Sequence, residues 1–206
     1  YDFLTSIQES DSGLMEYSTA LLSDDVIGCY LGIDLNQDLL DQAQSHLGCN
    51  GKFQFQTGDF SQGLPVSDQR FDIYFTSYGS LSHNNDQQTA RLLADIASTS
   101  QDYALVVCEW LGRYSYEWQN LWQPFTGEEN HEEQKDNQKK EQWIDYRISY
   151  IYPEEERHLH AIDSFPLRLI SQQEIHRIVQ SAQDQAGINL TVKKIFDKSI
   201  FVGRHM

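Results

Sequence analysis

The segment from Cys29 to Leu47 changes its hydrophobic period halfway along, and this change limits the folds that the chain can form. Its first part, CYLGIDL, is a short apolar run typical of a buried strand. In its second part, behind a polar opening, apolar residues recur at helical spacing: Leu39, Leu40, Ala43 and Leu47. The segment therefore predicts a strand, a turn and a helix in succession.

Strand-like and helix-like runs continue to alternate along the chain. Further strands are predicted at residues 52–60, 71–76 and 103–110, and helices at 14–22, 36–47 and 84–98. Strands that alternate with helices favour an α/β fold, in which the helices cross between parallel strands.

The region after residue 170 returns to a regular pattern. Ser171 followed three residues later by Glu174 forms a capping box, which begins a helix predicted to run to Gly187. Two β-rich runs then flank Asp197-Lys198-Ser199, and so short a joint allows only antiparallel pairing. We therefore predict an antiparallel hairpin as the last element.

Residues 112–156 interrupt the alternation and are interpreted as an insertion. Aromatic residues crowd into RYSYEWQNLWQPF, and the charge-dense GEENHEEQKDNQKKEQW follows. The charged stretch has no apolar face to bury, so it is interpreted as a solvated loop or frayed helix. A strand is predicted from Trp143 to Tyr152. Residues 1–206 are then a single domain with an insertion at about 112–156.

Composition excludes several classes of partner. The 31 acidic and 15 basic side chains give a formal charge of −16, which argues against binding to nucleic-acid phosphates. No apolar run approaches the roughly 20 residues that span a bilayer, so no membrane partner is expected. Three cysteines without a CxxC pair suit a reducing compartment. The sequence therefore predicts a cytoplasmic protein.

Four marks, taken in order, resemble the class I methyltransferases that use S-adenosylmethionine, in particular the bacterial small-molecule type. They are Asp34 in YLGIDLNQDLLDQA, Asp59 in QTGDF, the fourth-strand segment FDIYFTSYGSLSH and the ending FDKSIFVGRHM. The resemblance implies a Rossmann-like, doubly wound, mostly parallel sheet with an antiparallel C-terminal strand and a lid-like insertion. It also implies in-line methyl transfer from S-adenosylmethionine to a small organic acceptor.

Asp34 closes the first predicted strand, where a buried charge is costly unless it is hydrogen-bonded. The resemblance implies that Asp34, with Leu35 beside it, binds the cofactor. The Asp34 carboxylate would accept both ribose hydroxyls in the crevice at the strand ends. The alternative is that Asp34 caps the following helix, a task that Asn36 could share.

Asp59 and Phe60 follow the next strand along the chain. The resemblance implies that Asp59 or the Phe60 amide binds the exocyclic nitrogen of the adenine, while the Phe60 ring stacks on the base. The alternative is structural, because Gly58-Asp59 is a good strand terminator in any protein.

Gly13 departs from the family pattern, in which the first strand ends in a glycine-rich loop. The segment IQESDSGLMEY offers one glycine, although Gly13 precedes Asp34 by 21 positions, close to the spacing of a nucleotide loop and its ribose-binding acid. Gly13 is therefore included among the cofactor-binding residues.

The turn after the fourth-strand segment is expected to form the floor of the reaction site. The resemblance implies that Ser77 and Tyr78 contact the methionine part of the cofactor. His83 is the candidate catalytic residue, since an imidazole can take the proton of a hydroxyl or phenol acceptor near neutral pH. The alternative is that His83 is an exposed residue ahead of a helix.

An aromatic group follows the fifth predicted strand, where this family commonly builds its acceptor pocket or lid. Its members Trp110, Tyr114 and Tyr116 are the candidate substrate-binding residues. A homodimer contact is the second interpretation of the same group.

Two other function classes remain open from the sequence. A nicotinamide or other nucleotide-binding Rossmann enzyme shares the strand-ending acid but needs a glycine loop for its pyrophosphate. A methyltransferase-like binding or regulatory protein without activity is consistent with the sparse glycines. No metal site is predicted, because the HLH motif at residues 158–160 is interpreted as a surface turn.

Overall fold

The computed structural model describes residues 27–47, 51–65, 69–100, 103–114, 141–147, 155–156, 159 and 164–196. Contacts divide the chain into two compact units, Tyr1–Asp59 and Phe60–Met206. The single-domain organisation stays a prediction, and each unit is described by itself.

The first unit contains a β-α-β crossover. Strand β1 (Tyr30–Asp34) and strand β2 (Phe53–Thr57) pair in parallel, and helix α1 (Gln37–Leu47) connects them. The helix packs against the strands through its buried Leu40 and Ala43. A parallel pair requires such a crossover, because a tight turn cannot bring the chain back to start a second strand in the same direction.

Phe55 packs over Gly32 on the neighbouring strand of this pair. The two residues are partners in the parallel register, and a methyl group at Gly32 would lie 2.6 Å from the Phe55 ring. A side chain at position 32 would therefore displace the aromatic ring.

The described strands of the second unit form two separate sheets. Strands β3 (Ile73–Phe75) and β4 (Leu105–Val107) pair in parallel, with helix α2 (Asp86–Thr99) between them in sequence. In the other sheet β7 (Ser164–Ile170) is central, parallel to β5 (Leu111–Gly112) and antiparallel to β6 (Gln142–Arg147).

Helix α3 (Gln172–Ala186) packs against α2 and forms the main core of the second unit. The buried members of this core are Ala90, Leu93, Ala94, Ile170, Ile178 and Ala182. A second cluster, Leu81, Leu92 and Ile96, lies on another face of α2. Helix α2 therefore buries two faces and connects the β3–β4 pair to the rest of the unit.

Most elements confirm the sequence predictions within a few residues. Helix α3 has the predicted capping box, in which Ser171 Oγ accepts the amide of Glu174 and the Glu174 side chain accepts the amide of Ser171. The helix ends at Gly187, whose φ of 67° is left-handed. The predicted helix at 14–22 lies outside the described residues.

The predicted C-terminal hairpin is not confirmed. Residues 189–196 form no strand, and the second arm lies outside the described residues. The antiparallel strand that the structure describes is β6 instead. A β-rich run becomes a strand only where another strand hydrogen-bonds to it, and none of the described residues pairs with 189–196.

Strand β7 was missed by the sequence analysis. It contains Pro166, which lacks an amide donor, and Arg168, a charge in the middle of a buried strand. Both features lower the probability of a central strand by sequence rules. The strand accommodates Arg168 because its guanidinium is paired with Asp86 and Glu174.

Candidate functional site

Asp34 is the last residue of β1 and is exposed. Its Oδ1 accepts the amide of Asn36 at 2.8 Å, and Asn36 Oδ1 in turn accepts the amide of Asp38 at 2.9 Å. Asn36 therefore caps helix α1, and Asp34 orders the turn that leads into the cap. None of the described hydrogen bonds uses Asp34 Oδ2.

Two acidic residues lie at the same end of the β1–β2 pair. Asp34 is in register with Thr57, and the amide of Gly58 donates to the carbonyl of Asp34 at 3.0 Å. Asp59 follows two residues after Thr57 and is half-buried. Leu35, directly after Asp34, is 69% exposed. Both carboxylates thus follow the carboxyl ends of neighbouring parallel strands, where open α/β sheets bind ligands.

Phe60 belongs to the second unit, where it begins a short 3₁₀ turn, Phe60–Gln62. Its half-buried ring packs against the cluster of Leu81, Leu92 and Ile96. Its carbonyl accepts the side-chain amide of Asn84 at 3.3 Å. The ring is therefore part of the core of this unit, and stacking on a base stays a prediction.

Ser77 and Tyr78 follow strand β3 in a turn with unusual backbone angles. Among the described residues, Tyr78 is the one non-glycine with a positive φ, 54°, and the adjacent Gly79 has a φ of 66°. The Ser77 carbonyl accepts both the amide and the hydroxyl of Ser80, at 3.1 and 2.6 Å. The Tyr78 side chain is 86% exposed.

Glu109, which the sequence analysis missed, links this turn to the end of strand β4. Glu109 Oε2 accepts the amide of Tyr78 at 2.7 Å, and the amide of Glu109 donates to Thr76 Oγ1 at 3.3 Å. The signal was available, since Glu109 is a carboxylate directly after the β-rich LVVC, as Asp34 is after its own strand.

Cys108, the residue before Glu109, is not a candidate nucleophile. Burial raises the pKa of its thiol to about 11, so the group stays protonated near neutral pH.

His83 ends the short 3₁₀ turn Ser80–His83, two residues before the cap of helix α2. Asn85 caps that helix, while the His83 ring packs on Phe165 with 5.4 Å between ring centroids. Partial burial lowers the pKa of His83, because it disfavours the charged imidazolium. His83 is therefore exposed on one side, and its imidazole is mainly neutral at pH 7.

The aromatic candidates divide into two kinds. Trp110 is half-buried and packs against both core clusters, so it has a structural role in the second unit. Tyr114 is 67% exposed and remains available to a ligand. Tyr116 and Gly13 lie outside the described residues.

A buried ion network fixes the sheet of β5, β6 and β7 to helix α3. Glu174 is fully buried, and its Oε1 accepts hydrogen bonds from Arg113 and, at 2.7 Å, from Arg168. Arg168 also donates to Asp86 Oδ1 at 2.9 Å. Burial alone would raise the pKa of Glu174, but hydrogen bonds from Ser171 and Arg168 outweigh it and lower the pKa.

Two absences concern the described part of the chain. No group of three or more His, Cys, Asp and Glu side chains there could hold a metal ion. None of its helices has the length and apolar character needed to cross a membrane.

Part of the sequence and the fold are similar to those of known proteins. Residues 17–102 match the family model described as "Methyltransferase domain", about two fifths of the chain. No curated protein matches the sequence. In structure the chain is similar to a SAM-dependent methyltransferase from Methanosarcina mazei, with a TM-score of 0.51 and 16% identity over 76% of this chain and 69% of that one.

Two further solved structures are similar at lower scores. The glycopeptide N-methyltransferase MtfA has a TM-score of 0.44 and 14% identity, over 73% of this chain and 61% of its own. A S-adenosylmethionine-dependent methyltransferase from Clostridium acetobutylicum has a TM-score of 0.45 and 12% identity, over 74% and 63%. The chain therefore spans less than two thirds of these two proteins.

The likeness to the Methanosarcina mazei protein identifies the fold as that of the Rossmann-like class I methyltransferases. The domain match at residues 17–102 and this likeness in fold both agree with the class I S-adenosylmethionine-dependent methyltransferases. The resemblance expected from the sequence is thus confirmed.

Proposed function

We propose that this chain binds S-adenosylmethionine and transfers its methyl group, in line, to a small organic acceptor. The observation that supports the proposal most directly is the placement of Asp34 and Asp59 after neighbouring, in-register parallel strands. S-adenosylmethionine supplies a methyl group activated on a sulfonium, so the protein's own task is to bind, align and exclude water.

Asp34 is suited to bind the two ribose hydroxyls of the cofactor. Its Oδ1 is oriented by the Asn36 amide and keeps a second lone pair, while Oδ2 is used by none of the described hydrogen bonds. The carboxylate is therefore both exposed and held in place. Hydrogen bonds from hydroxyls to a carboxylate are stronger than those between neutral groups.

The turn after β3 is proposed to serve the reacting end of the ligands. Ser77 and Tyr78 contact the methionine part of the cofactor, and the exposed Tyr114 contacts the acceptor. His83 takes the proton of a hydroxyl or phenol acceptor at an imidazole nitrogen. Its lowered pKa supports this role, because a larger share of the imidazole is neutral near pH 7.

Further parts of the proposal concern organisation and surroundings. We propose one doubly wound sheet, with a lid formed by the insertion, and a cytoplasmic location. A homodimer contact is the second proposed role of the aromatic group. The charge of −16 supports an acceptor other than nucleic acid.

Calorimetric titration with S-adenosylhomocysteine, with NAD as the comparison ligand, tests the proposal. We expect micromolar binding of S-adenosylhomocysteine and none of NAD. Binding of NAD alone would favour a nucleotide-binding Rossmann enzyme, and binding of neither would favour a methyltransferase-like protein without activity.

Asp34→Ala should weaken the binding of S-adenosylhomocysteine by about 1.5–3 kcal/mol, the range for hydrogen bonds to a charged group. Asp34→Asn should lose less affinity, since its amide oxygen still accepts a hydrogen bond from one hydroxyl. Asp41→Ala is the matched control, because it removes the same charge from the exposed surface of α1, where the described hydrogen bond of Asp41 is the one that it accepts from Gln37. Unchanged affinity in Asp34→Ala would remove Asp34 from the site.

A further inference from the structure

Tyr78 occupies a backbone conformation that its side chain does not favour. Its φ of 54° lies in the left-handed region, where the Cβ of a non-glycine residue crowds the backbone. The large side chain is also 86% exposed, so it obtains little packing energy in return. Strained residues of this kind persist where the surrounding structure holds them and they concentrate at functional sites.

The holding contact is the carboxylate of Glu109. It accepts the Tyr78 amide at 2.7 Å, a charge-assisted hydrogen bond across 31 positions of sequence. The Glu109 backbone is itself fixed, because its amide donates to Thr76 Oγ1 at 3.3 Å. The ends of strands β3 and β4 are therefore joined by a reciprocal pair of side-chain contacts.

A third hydrogen bond secures the far side of the same turn. The amide of Leu111 donates to the buried Ser82 Oγ at 2.9 Å, and Ser82 in turn donates its own amide to the Gly79 carbonyl at 2.7 Å. The turn from Ser77 to Ser82 is thus fixed at both ends by the segment after β4. Tyr78 is the one member of the turn whose large side chain is left exposed.

We infer that Glu109 is a positioning residue, which holds Tyr78 in its left-handed conformation so that the turn after β3 can bind a ligand. The inference rests on the proposed function, in which Ser77 and Tyr78 contact the methionine part of the cofactor. Glu109 acts through Tyr78 and has no contact with the ligand. Its amide analogue should therefore replace it, because an amide oxygen also accepts the Tyr78 N–H.

Binding of S-adenosylhomocysteine to a matched set of variants, measured by calorimetry, tests the inference. Glu109→Ala should weaken binding about tenfold, whereas Glu109→Gln should stay within about twofold of the wild type. Asp184→Ala removes the same charge from the exposed face of α3 and should bind as the wild type does. Equal losses in Glu109→Ala and Glu109→Gln would mean that the charge itself contacts the ligand, which would overturn the inference.

A double-mutant cycle separates action through Tyr78 from an independent effect. Glycine adopts the left-handed region without a steric cost, so Glu109→Ala should weaken binding less in a Tyr78→Gly background than in the wild-type background. Additive losses would overturn the inference.

A second pair of variants changes the backbone preference directly and leaves Glu109 in place. Asn tolerates the left-handed region and the β-branched Val does not, so Tyr78→Val should bind several-fold more weakly than Tyr78→Asn. Equal affinities would overturn the inference. A wild-type protein that fails to bind S-adenosylhomocysteine ends the proposed function and the inference with it, whereas wild-type binding that Glu109→Ala leaves unchanged ends the inference alone.

Discussion

At the scale of single residues, His83 couples stability to pH because its imidazole is partly buried in the folded state. The folded state lowers the pKa of His83 below its ordinary 6.5, so the unfolded state binds more protons just below that pH. The free energy of unfolding should therefore rise with pH through this window. The contribution is complete above pH 6.5 and is lost as the pH falls through the folded-state pKa.

An NMR titration of the imidazole measures this pKa directly. We expect a midpoint below 6.5 in the wild type and a shift back toward 6.5 in Phe165→Ala, which uncovers the ring. In urea unfolding, His83→Gln should show a smaller rise of stability between pH 5 and pH 7 than the wild type. A wild-type midpoint above 6.5 would contradict the prediction.

Glu174 is the residue whose loss should cost most stability. It is fully buried between Arg113 and Arg168, and Glu174→Gln would remove the carboxylate that both buried guanidinium groups bind. Breaking a buried ion pair from one side costs about 3–5 kcal/mol. Urea unfolding should show a loss of this size, whereas Asp184→Asn on the same helix should change stability by less than about 0.5 kcal/mol.

The sequence predicted some residues of the candidate site and missed others for physical reasons. Asp34 and Asp59 were found because a carboxylate after an apolar run stands out against its neighbours. Glu109 carries the same signal, but its partner is a backbone amide 31 positions away, which no local pattern reveals. The ion pairs that Glu174 forms with Arg113 and Arg168 were missed because they too depend on the tertiary structure.

At the scale of elements, helix α3 shows how local chemistry can specify both ends of a helix. Its first turn is capped by Ser171, and its last residue is followed by the left-handed Gly187. Both signals could be recognised in the sequence, because capping residues lie within a few positions of the helix ends. Strand β7, by contrast, pairs with distant residues, 111–112 and 142–147. Its Pro166 and Arg168 are also atypical of a central strand, so its sequence does not predict one.

Gly187→Ala isolates the conformational part of this cap. A methyl group there would contact no atom within 4 Å, so its cost comes from the φ of 67° alone, about 1–2 kcal/mol of helix and protein stability. Gly28→Ala is the matched control, since that glycine also has open space around it and no left-handed φ. Thermal unfolding should show a lower midpoint for Gly187→Ala and an unchanged or slightly higher one for Gly28→Ala. Equal shifts would contradict the prediction.

At the scale of the whole molecule, the order of elements was predictable and the pairing of strands was not. Hydrophobic period and turn residues identify strands and helices one after another, and this was enough to indicate an α/β methyltransferase. Which strands pair depends on distant contacts, so the short β5, which follows directly after the run predicted at 103–110, was not predicted. The predicted antiparallel hairpin was placed in LTVKKIFDKSIFVGRH at the end of the chain, whereas the described antiparallel strand is β6.

The register of β7 has a consequence for protein engineering. Leu111 on β5 and Gln142 on β6 both face Leu169, so the chain leaves and rejoins this sheet at the same level, about 10 Å apart across two strand spacings. The two ends of the segment that connects β5 to β6 are also held in place. Arg113 forms an ion pair with Glu174 at one end, and Glu141 accepts the amide of Asp86 at the other.

The segment between β5 and β6 is therefore suited to replacement by other loops. Replacing residues 115–140 by a short Gly-Ser linker should leave the urea midpoint of the remaining protein within the range of surface substitutions, because neither junction has to move. A large drop in that midpoint would show that the excised residues support the sheet. With the midpoint unchanged, segments of other lengths and sequences could be exchanged at this point on a constant scaffold.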